Sequence, residues 1–236
     1  MTNDPPSLTE RLESLVRELM GNNPACHDYD HTRRVFLNAR LIARGEEADL
    51  AVVEAAALLH DIARDRELTE GGEGCHARLG AIASAEILRK LGVEDERFIS
   101  RVCECVASHR YRRGDGPSPR TLEARVIFDA DKLDSMGAVG IGRAFHFAGR
   151  NGARLHNSPE AALTSDSYSR EDTAYREYLV KFRHLTGSML TGTGRRLARD
   201  REGFMIDFFR RLCAETGTSF LEGSGGPPAD SALNAD

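Results

Sequence analysis

The segment Leu50 to Leu59, LAVVEAAALL, is apolar on nearly every side. A helix at a protein surface alternates apolar and polar residues on a 3.6-residue period, whereas one that is hydrophobic all round has to be surrounded by protein. The rest of the chain must therefore wrap around this segment. Asp49 stands in front of it as a helix-opening residue. It runs out into His60-Asp61, and an adjacent imidazole and carboxylate at the exit of a core helix are hard to account for by packing. One reading makes His60 a C-terminal cap, its positive form favoured by the helix dipole, with Asp61 solvating the turn. The other makes the pair a metal site. One borderline and one hard ligand suit Mn²⁺, Fe²⁺, Co²⁺, Ni²⁺ or Zn²⁺ better than Ca²⁺.

Strand signals are nearly absent, and the other periodic stretches read as helices. Leu8, Leu12, Leu15, Val16 and Leu19 form a stripe behind Ser7 or Thr9 as cap, stopped by Gly21-Asn22-Asn23-Pro24. A second helix starts near Asp28, carries Val35, Phe36, Ala39 and Ile42, and stops at Gly45. Further helices are expected from His76 to Leu91, Glu94 to His109, Leu122 to Leu133, Ser135 to Phe147, Glu171 to Leu185 and Arg195 to Glu215. Gly137, Gly140 and Gly142 permit close helix packing and match no dinucleotide fingerprint. The expected fold class is all-α, a helical bundle with the metal site in its core. Residues 149–168, rich in Ser, Asn and Gly, read as an ordered excursion near the site. At 236 residues the chain can bury one sizeable core. A single helical domain over 1–221 is expected, with 222–236 a disordered tail of low complexity.

Lys and Arg number 32 against 37 Asp and Glu, giving a net charge of −5 with no long basic run. That argues against a nucleic-acid surface, while small anions need only a few placed cations. No window approaches a membrane-spanning length of apolar residues, and the start, MTNDPPS, has neither basic nor apolar leader character. Five Cys, at 26, 75, 103, 105 and 213, form no C-x-x-C pair and fit reduced thiols, so the expected location is the cytoplasm.

His31 lies upstream of the His60-Asp61 pair in HDYDHTRRV, and Asp131 lies downstream in DADKLDSMGAVGIGRAF. The order His, His-Asp, Asp, each on an expected helix, resembles the HD-domain superfamily of metal-dependent phosphohydrolases. The wording of these segments and of AALLHDIAR is similar to its small, single-domain bacterial branch. The resemblance runs from about Leu8 to Glu215 and includes the late segment YLVKFRHLTGSMLTGTGRRLARDREGFMIDFFRRL. It implies His31, His60, Asp61 and Asp131 as ligands of one divalent transition metal (Mn, Fe, Co or Ni, with Mg and Zn as further candidates). His60, Asp61, Lys132 and His109 are then the expected catalytic set. Lys132 abuts Asp131 where resembling proteins also carry a basic residue. Arg64, His76, Arg110 and Lys132 are the expected substrate contacts, with Arg112 in the same cationic loop. Arg64 is placed there as the residue four beyond His60 on a continuing helix.

The implied substrate is a nucleotide, and the implied reaction is a (d)NTP giving a (d)NMP and pyrophosphate, in a monomer or homodimer. His76 and His109 resemble the two extra histidines by which dinuclear members hold a second ion. Arg110 follows His109 where those members often carry another histidine, so one metal is expected, with His76 and His109 meeting the substrate phosphate or its leaving oxygen. The alternatives are a dinuclear hydrolase of dinucleoside polyphosphates, a di-iron oxygenase, and a non-catalytic module that binds a nucleotide.

Residues 223–236 carry too little apolar surface to offset their ordering entropy. Deleting Gly223 to Asp236 is expected to move the melting temperature by no more than a few degrees, measured by thermal denaturation.

Overall fold

In the computed structural model the described residues are 5–20, 28–64, 76–110 and 118–222, with His76 described in its backbone only. The expected stop at Gly21 to Pro24, the loop carrying Arg112, and the tail from Gly223 lie outside them. The described residues are helical with no strand, which is the expected all-α class. The chain divides into two compact units, Met1–Asp131 and Lys132–Asp236.

The first unit comprises α1 (Leu8–Met20), α2 (Tyr29–Glu46), α3 (Leu50–Leu59), α4 (His76–Lys90), α5 (Glu96–Ser108) and nearly all of α6 (Leu122–Leu133). Side chains close the orphan N–H groups at the helix starts. Asp28, Asp49 and Asp95 accept from the first turns of α2, α3 and α5. At α1, Ser7 Oγ accepts from the Glu10 amide while Glu10 accepts from the Ser7 amide, a reciprocal capping box. Val52, Val53 and Ala55 to Leu59 of α3 are buried, as the all-round apolar run requires. Each such Val or Leu contributes roughly 1.5–3 kcal/mol. Helix α3 packs on α1, α2 and α5, and α4 packs on α5. Arg101 of α5 bonds Asp49 at 2.6 Å and Glu123 of α6 at 3.1 Å, and Glu123 also accepts from the Asp49 amide, so one polar knot joins the starts of α3 and α6.

The second unit comprises α7 (Gly137–Arg150), α8 (Pro159–Thr164), α9 (Ala174–Val180), a 3₁₀ turn (Phe182–His184), α10 (Leu185–Ser188) and α11 (Gly192–Thr216). Its core is aromatic. Tyr178 stacks on Phe209 at 4.7 Å, Tyr175 lies 5.7 Å from Phe209, and the Tyr175 hydroxyl accepts from the Leu221 amide. The segment 149–168 is ordered around buried Asn157, which donates to the Glu171 carbonyl and accepts from Thr173 Oγ1.

Two expectations change. The helix expected from Glu171 to Leu185 starts at a Thr173 cap and breaks at Lys181, where φ −130° and ψ −60° leave the helical region. Asp172 and Thr173 are drawn into side-chain bonds with the Tyr168 and Arg176 amides, which compete with helical continuation. Gly140 serves its own helix start, because a Cβ there would fall on the Ser135 carbonyl. Gly142 faces open space. Gly140→Ala is therefore expected to cost at least about 1–3 kcal/mol in urea unfolding. Gly142→Ala, at an exposed position of the same helix, should gain about 0.5–1 kcal/mol.

Candidate metal centre

Four helix ends of the first unit meet at one point. His31 sits in the first turn of α2, where its amide donates to the Asp28 cap at 3.0 Å. His60 and Asp61 leave the end of α3, His109 leaves the end of α5, and Asp131 lies in the last turn of α6. His31, His60, Asp61 and His109 are all less than 5 % exposed. The Asp131 side chain is 21 % exposed and marks the open side of the cluster.

His60 and His109 are oriented the same way. The carbonyls of a helix's last turn lack intrahelical donors, and each imidazole uses one of them. His60 Nδ1 lies 2.8 Å from the Ala57 carbonyl and His109 Nδ1 lies 2.7 Å from the Val106 carbonyl. A carbonyl only accepts, so each Nδ1 carries its proton and, in the neutral ring, each Nε2 presents a lone pair. Burial pushes the His60 imidazole down to about 4; the Asp61 charge opposes that shift, and His31 and His109 add to it. His60 is thus neutral at pH 7, the form in which imidazole binds metals.

The lone pair of His60 points at the other members of the cluster. His60 Nε2 lies 3.2 Å from His31 Nε2, and the rings are edge-on. One atom each from His31, His60 and Asp131 lie within 4.8 Å of one another. Asp61 Oδ2 is 3.7 Å from His31 Nε2 and 3.8 Å from His60 Nε2, and Asp131 Oδ1 is 3.6 Å from His31 Nε2. The other oxygen of Asp61, Oδ1, lies 3.4 Å from His109 Nε2. Lone pairs and carboxylates crowded in a buried place are costly unless a cation stands among them. The donor set, imidazole with carboxylate, fits a divalent ion.

The four ligands expected from the sequence are therefore brought together. His109 is both a helix cap and a member of the cluster, so the two readings of such a residue coincide. Arg64 is displaced from its expected relation to His60. Helix α3 stops at Leu59, and the residues beyond form a tighter turn, with Ile62 N–H bonded to Leu59 O and Arg64 N–H to Asp61 O. The spacing of four therefore no longer stacks Arg64 under His60. Arg64, Arg110 and Lys132 are half-buried, each in or just beyond a turn that carries a cluster residue. His76 begins α4, but its side chain, like Arg112, lies outside the described residues. Sequence reading passed over Asn38, a buried amide that donates to the Ala130 carbonyl at 3.2 Å. Its signal was a polar residue inside the Val35, Ala39, Ile42 stripe, seven residues after His31.

An HD domain profile matches residues 28–136, which contain the whole cluster. The YpgQ protein of Bacillus subtilis is 35 % identical over 205 residues, spanning 86 % of this chain and 91 % of the relative. Among solved structures, a predicted HD superfamily hydrolase from an uncultured Thermotogales bacterium is 31 % identical, covers 88 % of this chain and 92 % of its own, and superposes with a TM-score of 0.63. B. subtilis YpgQ, crystallised in complex with ADP, is 28 % identical over 92 % of this chain and 97 % of its own, with a TM-score of 0.67.

His60→Ala removes the lone pair that His60 Nε2 presents to the cluster. Elemental analysis of protein purified with Mn²⁺ is expected to show bound metal in the wild type and its loss in this variant. Retention of a full equivalent would contradict the assignment of His60 as a ligand.

Proposed function

Because the chain belongs to the HD-domain family, we propose that it is a metal-dependent phosphohydrolase of nucleotides, cleaving (d)NTP to (d)NMP and pyrophosphate. The observation that carries this reading is the buried convergence of imidazoles and carboxylates, with the Asp131 side chain partly exposed. The complex of YpgQ with ADP supports a nucleotide as the ligand class.

In this reading His31, His60, Asp61 and Asp131 hold one divalent ion. When bound, such an ion supplies Lewis acidity to a phosphoryl oxygen and acidifies a water molecule near neutral pH. The protein's own groups do the rest. Asp61 is held by the turn after α3, so its carboxylate keeps one face on His31 and His60 and the other on His109. His109 keeps Nδ1–H on the Val106 carbonyl, which leaves Nε2 to carry a proton to the leaving oxygen as the phosphoanhydride bond breaks. Water adds to the α-phosphorus, its oxygen stays on the nucleotide, and the proton it sheds restores the one that His109 gives to the leaving pyrophosphate. Lys132, Arg64, Arg110 and His76 offset the phosphate charge. Residues 1–221 act as one HD-type domain, as monomer or homodimer, in a reducing cytoplasm. Among the described residues no helix is long and apolar enough to cross a membrane.

A second reading is favoured by one distance. Asp61 Oδ1 faces His109 Nε2 at 3.4 Å while Oδ2 faces the other imidazoles, the attitude of a carboxylate able to bridge two ions. Metal analysis decides between them. One ion per chain, kept in His109→Ala with turnover lost, supports the mononuclear site, whereas two ions falling to one in that variant support the dinuclear one.

The substrate is tested with a panel of NTPs, dNTPs, nucleoside monophosphates, dinucleoside polyphosphates and sugar phosphates, assayed with Mn²⁺, Co²⁺, Ni²⁺ and Mg²⁺. Turnover is expected chiefly among the triphosphates, with pyrophosphate as co-product. Orthophosphate instead would move the cut to the terminal bond, and cleavage of sugar phosphates alone would overturn the nucleotide assignment.

A further inference from the structure

Helix α6 brings Asp131 to the cluster. Its buried side chains, among them Val126, Ile127 and Phe128, give it apolar contact. Apolar contact is non-directional and does not by itself set where along its axis a helix stops. A slip of one residue moves a helix by about 1.5 Å and turns it by about 100°. Ligand atoms, by contrast, have to lie within about 0.2 Å of their proper distance from a metal.

Two polar tethers within the first unit give α6 a direction, one near each end. At the start, Glu123 accepts from the Asp49 amide at 3.2 Å and from Arg101 at 3.1 Å. At the end, Asn38 Nδ2 donates to the Ala130 carbonyl at 3.2 Å. Ala130 is the residue before Asp131. Asn38 lies seven residues, close to two full turns, beyond His31 on α2, so the two project from the same side of that helix. Both are buried. One amide thus connects the helix that presents His31 to the peptide unit that precedes Asp131, whose Oδ1 lies 3.6 Å from His31 Nε2. A hydrogen bond holds its distance within a few tenths of an ångström and its angle above about 120°, a tolerance comparable to that of the ligand set.

We propose that Asn38 is a positioning residue for the metal centre: its side-chain amide sets the register of α6 against α2 and so the separation of Asp131 from His31. It touches neither metal nor substrate and acts through the Ala130 peptide. The proposal rests on the assignment of His31 and Asp131 as ligands, and the test separates the two.

The measurement is Mn²⁺ affinity of the full chain, read from the free-ion electron paramagnetic resonance signal during titration, alongside the melting temperature of the metal-free protein. Asn38→Ala removes the donor, and Asn38→Leu removes it while filling the space, so that a cavity is not the cause of any loss. Val35→Ala, in the same helix and fully buried, reports what a comparable loss of packing does. His31→Ala tests the ligand assignment. Both Asn38 variants are expected to bind Mn²⁺ roughly tenfold or more weakly, the scale of supporting residues around metal sites. Val35→Ala should keep near wild-type affinity at a similar loss of melting temperature. Wild-type affinity in Asn38→Leu, or equal weakening in Val35→Ala, would overturn the positioning role while leaving the metal centre standing. Wild-type affinity in His31→Ala would overturn the ligand assignment and the proposal with it.

Discussion

The structure of the centre depends on one repeated interaction, an imidazole Nδ1–H given to a carbonyl in the last turn of the helix it has just left. His60 makes it to Ala57 and His109 to Val106. Such a bond is worth only about 1 kcal/mol net, but its consequence is chemical. It selects the tautomer, locks the ring, and turns the Nε2 lone pair of each histidine inward. A helix interior could not offer this partner, since its carbonyls are already bonded along the ladder; a helix end leaves them open. The cluster is accordingly built at helix termini, and α3 has to stop at Leu59 for His60 to work.

That placement explains why the apolar character of α3 and the polarity of the centre belong together. A helix buried on all sides brings its last residue to a place from which water is excluded. There the His60 imidazole is held neutral and a carboxylate interacts strongly with whatever cation it meets. The first unit also carries polar tethers with defined partners: Asp49 with Arg101 and Glu123, Thr9 with Glu54, and Asn38 with Ala130. The apolar core supplies the bulk of the attraction, and these bonds decide where along that core each helix end comes to rest.

The helical class and the central place of residues 50–59 were determined by the sequence alone, while the gathering of His31, His60, Asp61 and Asp131 was what the HD-domain resemblance implied. The run around Leu58 is apolar on every face, which admits no exposed position. Periodic stripes on the other segments admit few structures besides helices. The late segment was harder to read, because Asp172 and Thr173 look like helix residues until their side chains are seen bonding the Tyr168 and Arg176 amides. Gly140 had a plausible use in helix packing, whereas its actual neighbour, the Ser135 carbonyl, is set by a turn that composition does not reveal.

Only the tertiary structure decided the rest. Whether Arg64 stacks under His60 depended on α3 ending one residue before it, an outcome set by packing and by the tighter turn that follows. Whether His109 was a cap or part of the site depended on what lay across from its ring, and that is Asp61, from the turn after α3. Asn38 is marked locally only as a polar residue inside an apolar stripe, because its partner is a backbone carbonyl 92 residues away. Side-chain periodicity records which face of a helix is buried, since that is a local property of the chain. The depth at which a helix stops, and the carbonyl or carboxylate waiting there, are properties of the folded arrangement, set by contacts between segments that the linear order leaves far apart.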